Sequence, residues 1–219
     1  MKRFKVVFVA AALIALALGP ALAAPEVFKI DPVHSQVGFT IRHIVSRVPG
    51  RFDTFSGEIT VDRENLAASK VSAEIDCGSI DTGNPKRDGH LKSPDFFNAE
   101  KNPKITFVST NATASSKDRL TLTGNLTMAG VTKPVTLDVK ILGFAADPMG
   151  PGGQRAGFEA KTTVNRKDFG ISWNRMLDAG GAILGDEVEV TLLVEAAAAA
   201  TSPKPAGEAK PAEAKPSGQ

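Results

Sequence analysis

Asp81–Phe107 reads DTGNPKRDGHLKSPDFFNAEKNPKITF. It is the one long interruption in a chain otherwise built of short alternating segments. Asn84-Pro85 places a capping side chain before a proline at the first helical position, and Ser93-Pro94-Asp95 repeats the device. An Asn or Ser oxygen accepts a bond from an orphan N–H of the first turn. Proline loses nothing there, because its missing N–H would be unpaired anyway. Asn102-Pro103 ends the helical part, since the residue before proline is pushed toward extended geometry. Leu91, Phe96 and Phe97 lie between these marks, beside Lys86, Arg87, Asp88 and His90. A loop this long inside a compact domain carries a function or its own structure. The stretch reads as a helical segment laid across the end of a β-barrel.

On both sides of it the pattern has period 2. Val37, Phe39 and Ile41 alternate with Gln36, Thr40 and Arg42. Phe55, Gly57, Ile59 and Val61 follow the same rule, as do Val71, Ala73, Ile75 and Cys77. Beyond the interruption come Ile105 and Phe107, then Leu120, Leu122, Leu126 and Met128, with Gly124 in phase. A turn at Ala129-Gly130 leads to Val135, Leu137, Val139 and Ile141. Ala156, Phe158, Ala160 and Val164 mark another strand, and Val188, Val190, Leu192 and Val194 the last.

This makes an all-β, antiparallel chain of eight strands, each with one apolar and one wet face. Such a sheet must close or pack on another to hide its apolar face and its edges. An eight-stranded barrel leaves an interior that holds one small ligand, as lipocalins do. A sandwich with a filled core is the alternative, and periodicity alone does not separate the two. Arg42–Pro49 reads as a short helical turn. Asn165–Gly185 is a longer connection with the only tryptophan, Trp173, and with Gly180-Gly181 as a tightly turning segment.

The ends read as something other than fold. Residues 1–23 have a basic start (Lys2, Arg3, Lys5), an apolar run from Val6 to Leu18 and the small-x-small site Ala21-Leu22-Ala23. This is the pattern of a signal peptide cut after Ala23 and of a periplasmic or secreted protein. An uncleaved anchor is the rival, although the run is short of the ~20 residues a span needs. Residues 196–219, rich in Ala, Pro, Lys and Glu, lack the apolar bulk to offset ordering entropy and read as a disordered tail. The domain is therefore placed at residues 24–195.

The whole chain carries a formal net charge of +2, three of whose positive charges lie in the signal segment. What remains is nearly neutral, which argues against a nucleic-acid binder. Cys77 is the only cysteine. No intramolecular disulfide can form, and its phase with the apolar positions argues for burial. No G-x-S-x-G elbow or phosphate-binding glycine loop is present. The three histidines, His34, His43 and His90, show no metal-ligand spacing. The expectation is a binding protein, not an enzyme, with no catalytic residue, metal or cofactor. Were it an enzyme acting on a lipid head group, His43, His90 and Asp88 would be the candidates for proton transfer. An envelope structural protein that uses the tail is a third reading. Phe96 and Phe97 either line a ligand cavity or plug the barrel. Arg166, Lys167 and Arg175 either meet an anionic head group or belong to a solvated loop.

These marks in this order resemble the YceI-like family of exported lipid-binding proteins. The resemblance rests on Phe28–Ser35 (FKIDPVHS), Val37-Gly38-Phe39, Arg42-His43, Val48–Phe52 (VPGRF) and Phe55-Ser56-Gly57. Its strongest part is Arg87–Phe97 (RDGHLKSPDFF). It ends on Gly157-Phe158, Asn165–Gly170 (NRKDFG) and Gly185–Val188 (GDEV). Asn102 departs from the family pattern, standing where an aromatic is usual.

The resemblance implies a lipocalin-like barrel with a tunnel for an isoprenoid or other long amphiphile, polyprenyl phosphates and quinones being the ligand class. From the strands the tunnel would be lined by Phe39 and Ile41, Phe52 and Phe55, and Phe107. The later strands would add Leu122 and Leu126, Leu137 and Val139, and Phe158. The connections would add Leu91, Phe96, Phe97, Phe169 and Trp173. His43, Arg87, His90, Arg166 and Lys167 would meet the head group. A peripheral membrane contact and a homodimer are compatible with this reading, and the sequence decides neither.

Overall fold

The computed structural model describes residues 25–148, 153–178 and 180–198. The expected signal segment lies outside the described residues, as does the expected tail from residue 199 on. The strands are β1 (Glu26–Ile30), β2 (Gln36–His43), β3 (Ser46–Phe52), β4 (Phe55–Val61), β5 (Lys70–Asp76) and β6 (Ile80–Asp81). After the helix α1 (Pro85–Lys92) come β7 (Lys104–Ala114), β8 (Arg119–Met128), β9 (Val131–Ala146), β10 (Gln154–Asn165) and β11 (Leu184–Ala198). All pairings are antiparallel and run β1-β4-β5-β7-β8-β9-β10-β11 before returning to β1. The result is a closed eight-stranded barrel; of the two closures left open by the alternating pattern, it is the one the resemblance implies.

Eleven strands make eight staves because three staves are broken. β11 pairs with β2 through Leu184–Leu193 and with β1 through Ala196–Ala198, so β1 and β2 are halves of one stave bent at residues 31–35. The Asp31 carboxylate accepts the Val33 N–H at 3.0 Å in that bend. β3 and β4 are likewise one stave, kinked at Asp53-Thr54. β5 and β6 are separated by a 3-10 turn at Cys77–Ser79, where the Asp76 carboxylate accepts the Gly78 N–H at 2.7 Å.

The structure departs from the sequence reading in three places. Residues 42–49 form no helical turn. Arg42 pairs with Arg47 and His43 with Ser46, so two residues suffice to reverse the chain. Ser93-Pro94-Asp95 starts no second helix. Phe97 N–H donates to Leu91 O at 3.1 Å and Asn98 N–H to Ser93 O at 2.9 Å, and these backward bonds fold the chain into turns. The barrel also runs past residue 195. Ala196, fully buried, pairs with Ile30, and Ala198 with Phe28. Alanine offers little apolar area, yet a ladder needs only its N–H and C=O.

The first helix start is as read. Asn84 Oδ1 accepts from Lys86 N–H and Arg87 N–H, both at 3.1 Å, ahead of Pro85. No helix among the described residues is long and apolar enough to cross a membrane. Inward side chains gather in two clusters. One surrounds Phe28, Leu66 and Phe158 at one end of the barrel. The other surrounds Phe52, Phe96, Cys77 and Phe169 where the helical stretch crosses the other end. Cys77 is fully buried, and its N–H donates to Pro103 O at 2.9 Å, tying the end of the stretch to the wall. Burial pushes the Cys77 thiol up to about 11.

A lumen with an aromatic lid

Alternation on a closed sheet leaves only the inward half of each stave to fill the interior. In this barrel it does not fill it. A cavity of about 790 Å³ runs between the two clusters, within the range of small-molecule sites, ~300–1,000 Å³. Glycine helps to keep it open. The ring of Phe39 fills the space over Gly50, its partner across the β2–β3 ladder, where a Cβ would stand, and the ring of Phe107 does the same over Gly124. A side chain at either glycine would push the ring out of this space, and both rings line the cavity.

One end is floored by aromatic packing. Phe144 stands 5.9 Å from Phe28 and 6.4 Å from Phe158, centroid to centroid. The other end is covered by the helical stretch. His90, Phe96 and Trp173 form a triangle of rings, with centroids 5.0 Å (His90–Phe96), 4.9 Å (His90–Trp173) and 5.3 Å (Phe96–Trp173) apart. The lid thus joins α1 to the 171–183 loop. Phe97 meets Phe52 edge-on at 5.8 Å, and Phe52 continues to Phe39 at 5.7 Å. Phe96 and Phe97 both cap the mouth and face the cavity, so the two sequence readings of that pair coincide.

Fourteen of the fifteen residues expected to line a tunnel lie on the cavity wall. Phe169 is the correction. It is buried beside the mouth but does not reach the lumen, because the 3-10 turn Arg166–Phe169, capped by Asn165, ends β10 and breaks its alternation. The five polar candidates separate. His43, Arg87, His90 and Arg166 touch the lumen; Lys167 does not. Lys167 Nζ instead donates to Asp186 at 2.9 Å. Arg166 is a clamp: 3% exposed, it donates to Gly185 O (2.9 Å), Ile171 O (2.9 Å) and Trp173 O (2.7 Å). Those carbonyls fix the loop that carries Trp173, and burial pushes the guanidinium's pKa down.

Arg87 donates to Thr82 Oγ1 and Thr82 O, both at 2.7 Å, so it meets only neutral acceptors. Lys86 and Arg175 also reach the lumen, and neither side chain has a carboxylate partner among the described residues. Lys86 was absent from the sequence expectation. Its spacing of four from His90 on α1 is the signal that puts both on one helix face. No Asp or Glu of the described residues lines the cavity. The lumen is therefore apolar along its length and basic at the mouth.

Two of the three proton-transfer candidates are engaged by other groups. The Asp88 carboxylate accepts from Thr82 N–H at 3.0 Å and from Thr82 Oγ1. His90 Nε2 pairs with Asp95 at 2.8 Å, and His43 lines the wall beside the β2–β3 turn. The described residues do bring ligand atoms of Asp31, His34 and Glu195 within 4.8 Å of one another. A guanidinium already occupies that cluster, since Arg155 Nη1 donates to Asp31 at 2.6 Å and to Glu195 at 2.9 Å.

The domain model described as YceI-like matches residues 28–196. A UPF0312 protein of Pseudomonas aeruginosa (strain LESB58) is 46% identical over 191 residues, covering 84% of this chain and 95% of its own length. A YceI protein of Campylobacter jejuni has a solved structure that is similar with a TM-score of 0.62 at 32% identity, over 70% of this chain and 86% of that one. A polyisoprenoid binding domain from Saccharophagus degradans has the same fold, with a TM-score of 0.56 at 16% identity, over 78% of this chain and 98% of that one. The match spans the staves and the lid and reaches the first closing rung at Ala196, and the chain belongs to the YceI-like family.

Proposed function

We propose that the protein binds a long isoprenoid-type lipid, or a comparable amphiphile, with the tail in the lumen and the head group at the mouth, and so stores or carries it. The observation that carries this reading is the lumen itself: about 790 Å³, apolar, without an acidic residue, and rimmed by Lys86, Arg87 and Arg175. Each CH₂ moved into it contributes ~0.8 kcal/mol, while an exposed ion pair at the mouth contributes ~0–1 kcal/mol. Ordering the tail offsets part of the gain. Tail length then sets affinity, and the basic rim selects an anionic head group such as a phosphate, ahead of a neutral quinone. The polyisoprenoid-binding description of the Saccharophagus domain supports the ligand class.

The compartment is part of the proposal. The basic and apolar start of the chain supports export to the periplasm and removal of residues 1–23. The protein acts there as a binder and not as a catalyst. Native mass spectrometry of protein purified from its own host is the test. An adduct with the mass of a prenyl lipid is expected. Failure to find one, together with failure to load polyprenyl phosphate or quinone in vitro, overturns the reading.

A further inference from the structure

Two short loops rim the mouth, and their tips are apolar and exposed. β2 and β3 are joined through Ile44 and Val45; Val45 is 98% exposed and Ile44 39%. Beside them Met176, 66% exposed, forms an isolated bridge with Ala182. The two loops are fastened together. Ile44 N–H donates to Ile183 O at 2.8 Å, and the Arg42 guanidinium donates to Ile44 O at 3.1 Å and to Ala182 O at 3.4 Å. The tips therefore form one crest. It borders the lumen, because His43, Arg175 and Ile183 of the same loops line the cavity, whereas Ile44, Val45 and Met176 do not.

The backbone argues that apolar tips are there for a reason. Ile44 has φ 52°, a left-handed geometry that is costly for a β-branched residue. Two-residue hairpin loops fill such positions with Gly, Asn or Asp. The first residue of the β8–β9 turn is left-handed too, at φ 50°, and there the chain places the smaller, unbranched Ala129, followed by Gly130 at 79°. At residue 44 the strain is retained and a polar turn residue is absent. The charge around the crest leans positive. Arg42 bonds to carbonyls, Lys86 and Arg175 lack a carboxylate partner among the described residues, and Asp186 faces Arg42, Arg166 and Lys167 at once. Asp178 is the single acid of residues 171–183, and Arg47 is held by Glu189.

We infer that this crest docks the barrel, mouth down, on an anionic phospholipid surface. Ile44, Val45 and Met176 enter the interfacial layer, while Arg42, Lys86 and Arg175 face the lipid phosphates. A guest then passes between bilayer and lumen without crossing water. The apolar anchors Ile44, Val45 and Met176 lie outside the lumen, so substituting them tests docking apart from lumen binding.

Flotation with phosphatidylethanolamine–phosphatidylglycerol vesicles, against phosphatidylcholine vesicles, tests it. The protein should bind the anionic vesicles and release from them as salt is raised. Ile44→Gly with Val45→Ser should raise the melting temperature, because the strain is relieved, and lower vesicle affinity by about tenfold or more. Met176→Gln should lower it as well. Val33→Ser, altering an 82% exposed side chain in the bend between β1 and β2, should bind like the parent. The proposal is overturned if the protein ignores anionic vesicles, as it would were the crest covered by a protein partner. Unchanged binding by the Ile44/Val45 variant, or an equal loss in Val33→Ser, also overturns it. Uptake of a fluorescent prenyl analogue from detergent reports the lumen alone and should be unchanged in the Ile44/Val45 variant, so a failure of lumen binding appears there and not in flotation.

Discussion

The ring of Phe39 rests on the backbone of Gly50, across the β2–β3 ladder. A Cβ at Gly50 would lie 2.8 Å from Phe39 Cε2 and 2.9 Å from Cε1. Gly50→Ala is therefore expected to tip the ring into the lumen. Overpacking of this kind costs ~1–3 kcal/mol. A ligand that must share the space should lose about tenfold in affinity for each 1.4 kcal/mol of that cost it bears. Titration with prenyl chains of increasing length checks this: long chains should suffer more than short ones, with the circular dichroism spectrum unchanged.

Lid residues should control how fast a guest exchanges. Phe97 packs on Phe52, and Phe97→Ala removes contacts worth up to ~3–5 kcal/mol at a buried site, so exchange should accelerate. Gly89 sits in α1 with open space where a Cβ would go. Gly89→Ala should stabilise the helix by up to ~1 kcal/mol, which corresponds to about fivefold slower exchange if the helix must open. Stopped-flow displacement of a fluorescent prenyl analogue measures both. Equal rates in both variants would mark the stretch as a fixed plug.

The bend between β1 and β2 should sense acid. Hydrogen bonds from His34 and Arg155 hold the Asp31 carboxyl well below the usual carboxylate range. A carboxyl depressed in the folded state contributes stability above its unfolded value, about 3.9. That stability is lost as pH falls from there through the folded value. Asp31→Asn should therefore weaken the protein at neutral pH and flatten the decline of stability below about pH 4. Urea unfolding at a series of pH values reads the slope.

Cys77 should be silent toward thiol reagents. It is fully buried, and its thiol is pushed up to about 11, so thiolate is scarce at neutral pH. The native protein should resist Ellman's reagent and react fully once denatured. Rapid reaction of the native state would contradict the burial of Cys77.

The staves were legible because period 2 writes the inward face of each directly into the sequence, whereas their closure into a barrel rested on the family resemblance. Leu122, Leu137 and Phe158 could be placed on the wall from alternation alone. Breaks between staves were not legible, since Asp31–Ser35 interrupts strands too short to show a change of phase. Phe169 was misplaced because a 3-10 turn suspends the alternation that assigned it. Arg166 looked like a ligand-facing cation. Its true partners include Gly185 O, 19 residues away, and nothing local announces a carbonyl acceptor at that distance. Lys86 was passed over although its spacing from His90 was readable. The glycine seats under Phe39 and Phe107 depend on neighbours across a ladder, which a single strand does not specify.

The pairing of Phe28–Ile30 with Ala196–Ala198 joins the two ends of the fold and so sets when folding can finish. Every other seam of the ring lies between segments closer in sequence. This one must wait for the final residues, after the entropy of closing the longest loop has been met. Contacts of such separation place the fold among the slow, millisecond-to-second class. Until then the seam is held by the β11–β2 rungs alone, and the β1 half of that stave has an unpaired edge. A chain ended at Glu195 would keep every bulky inward side chain and still lack its last rungs, whereas one ended at Ala198 could zip the seam to its end.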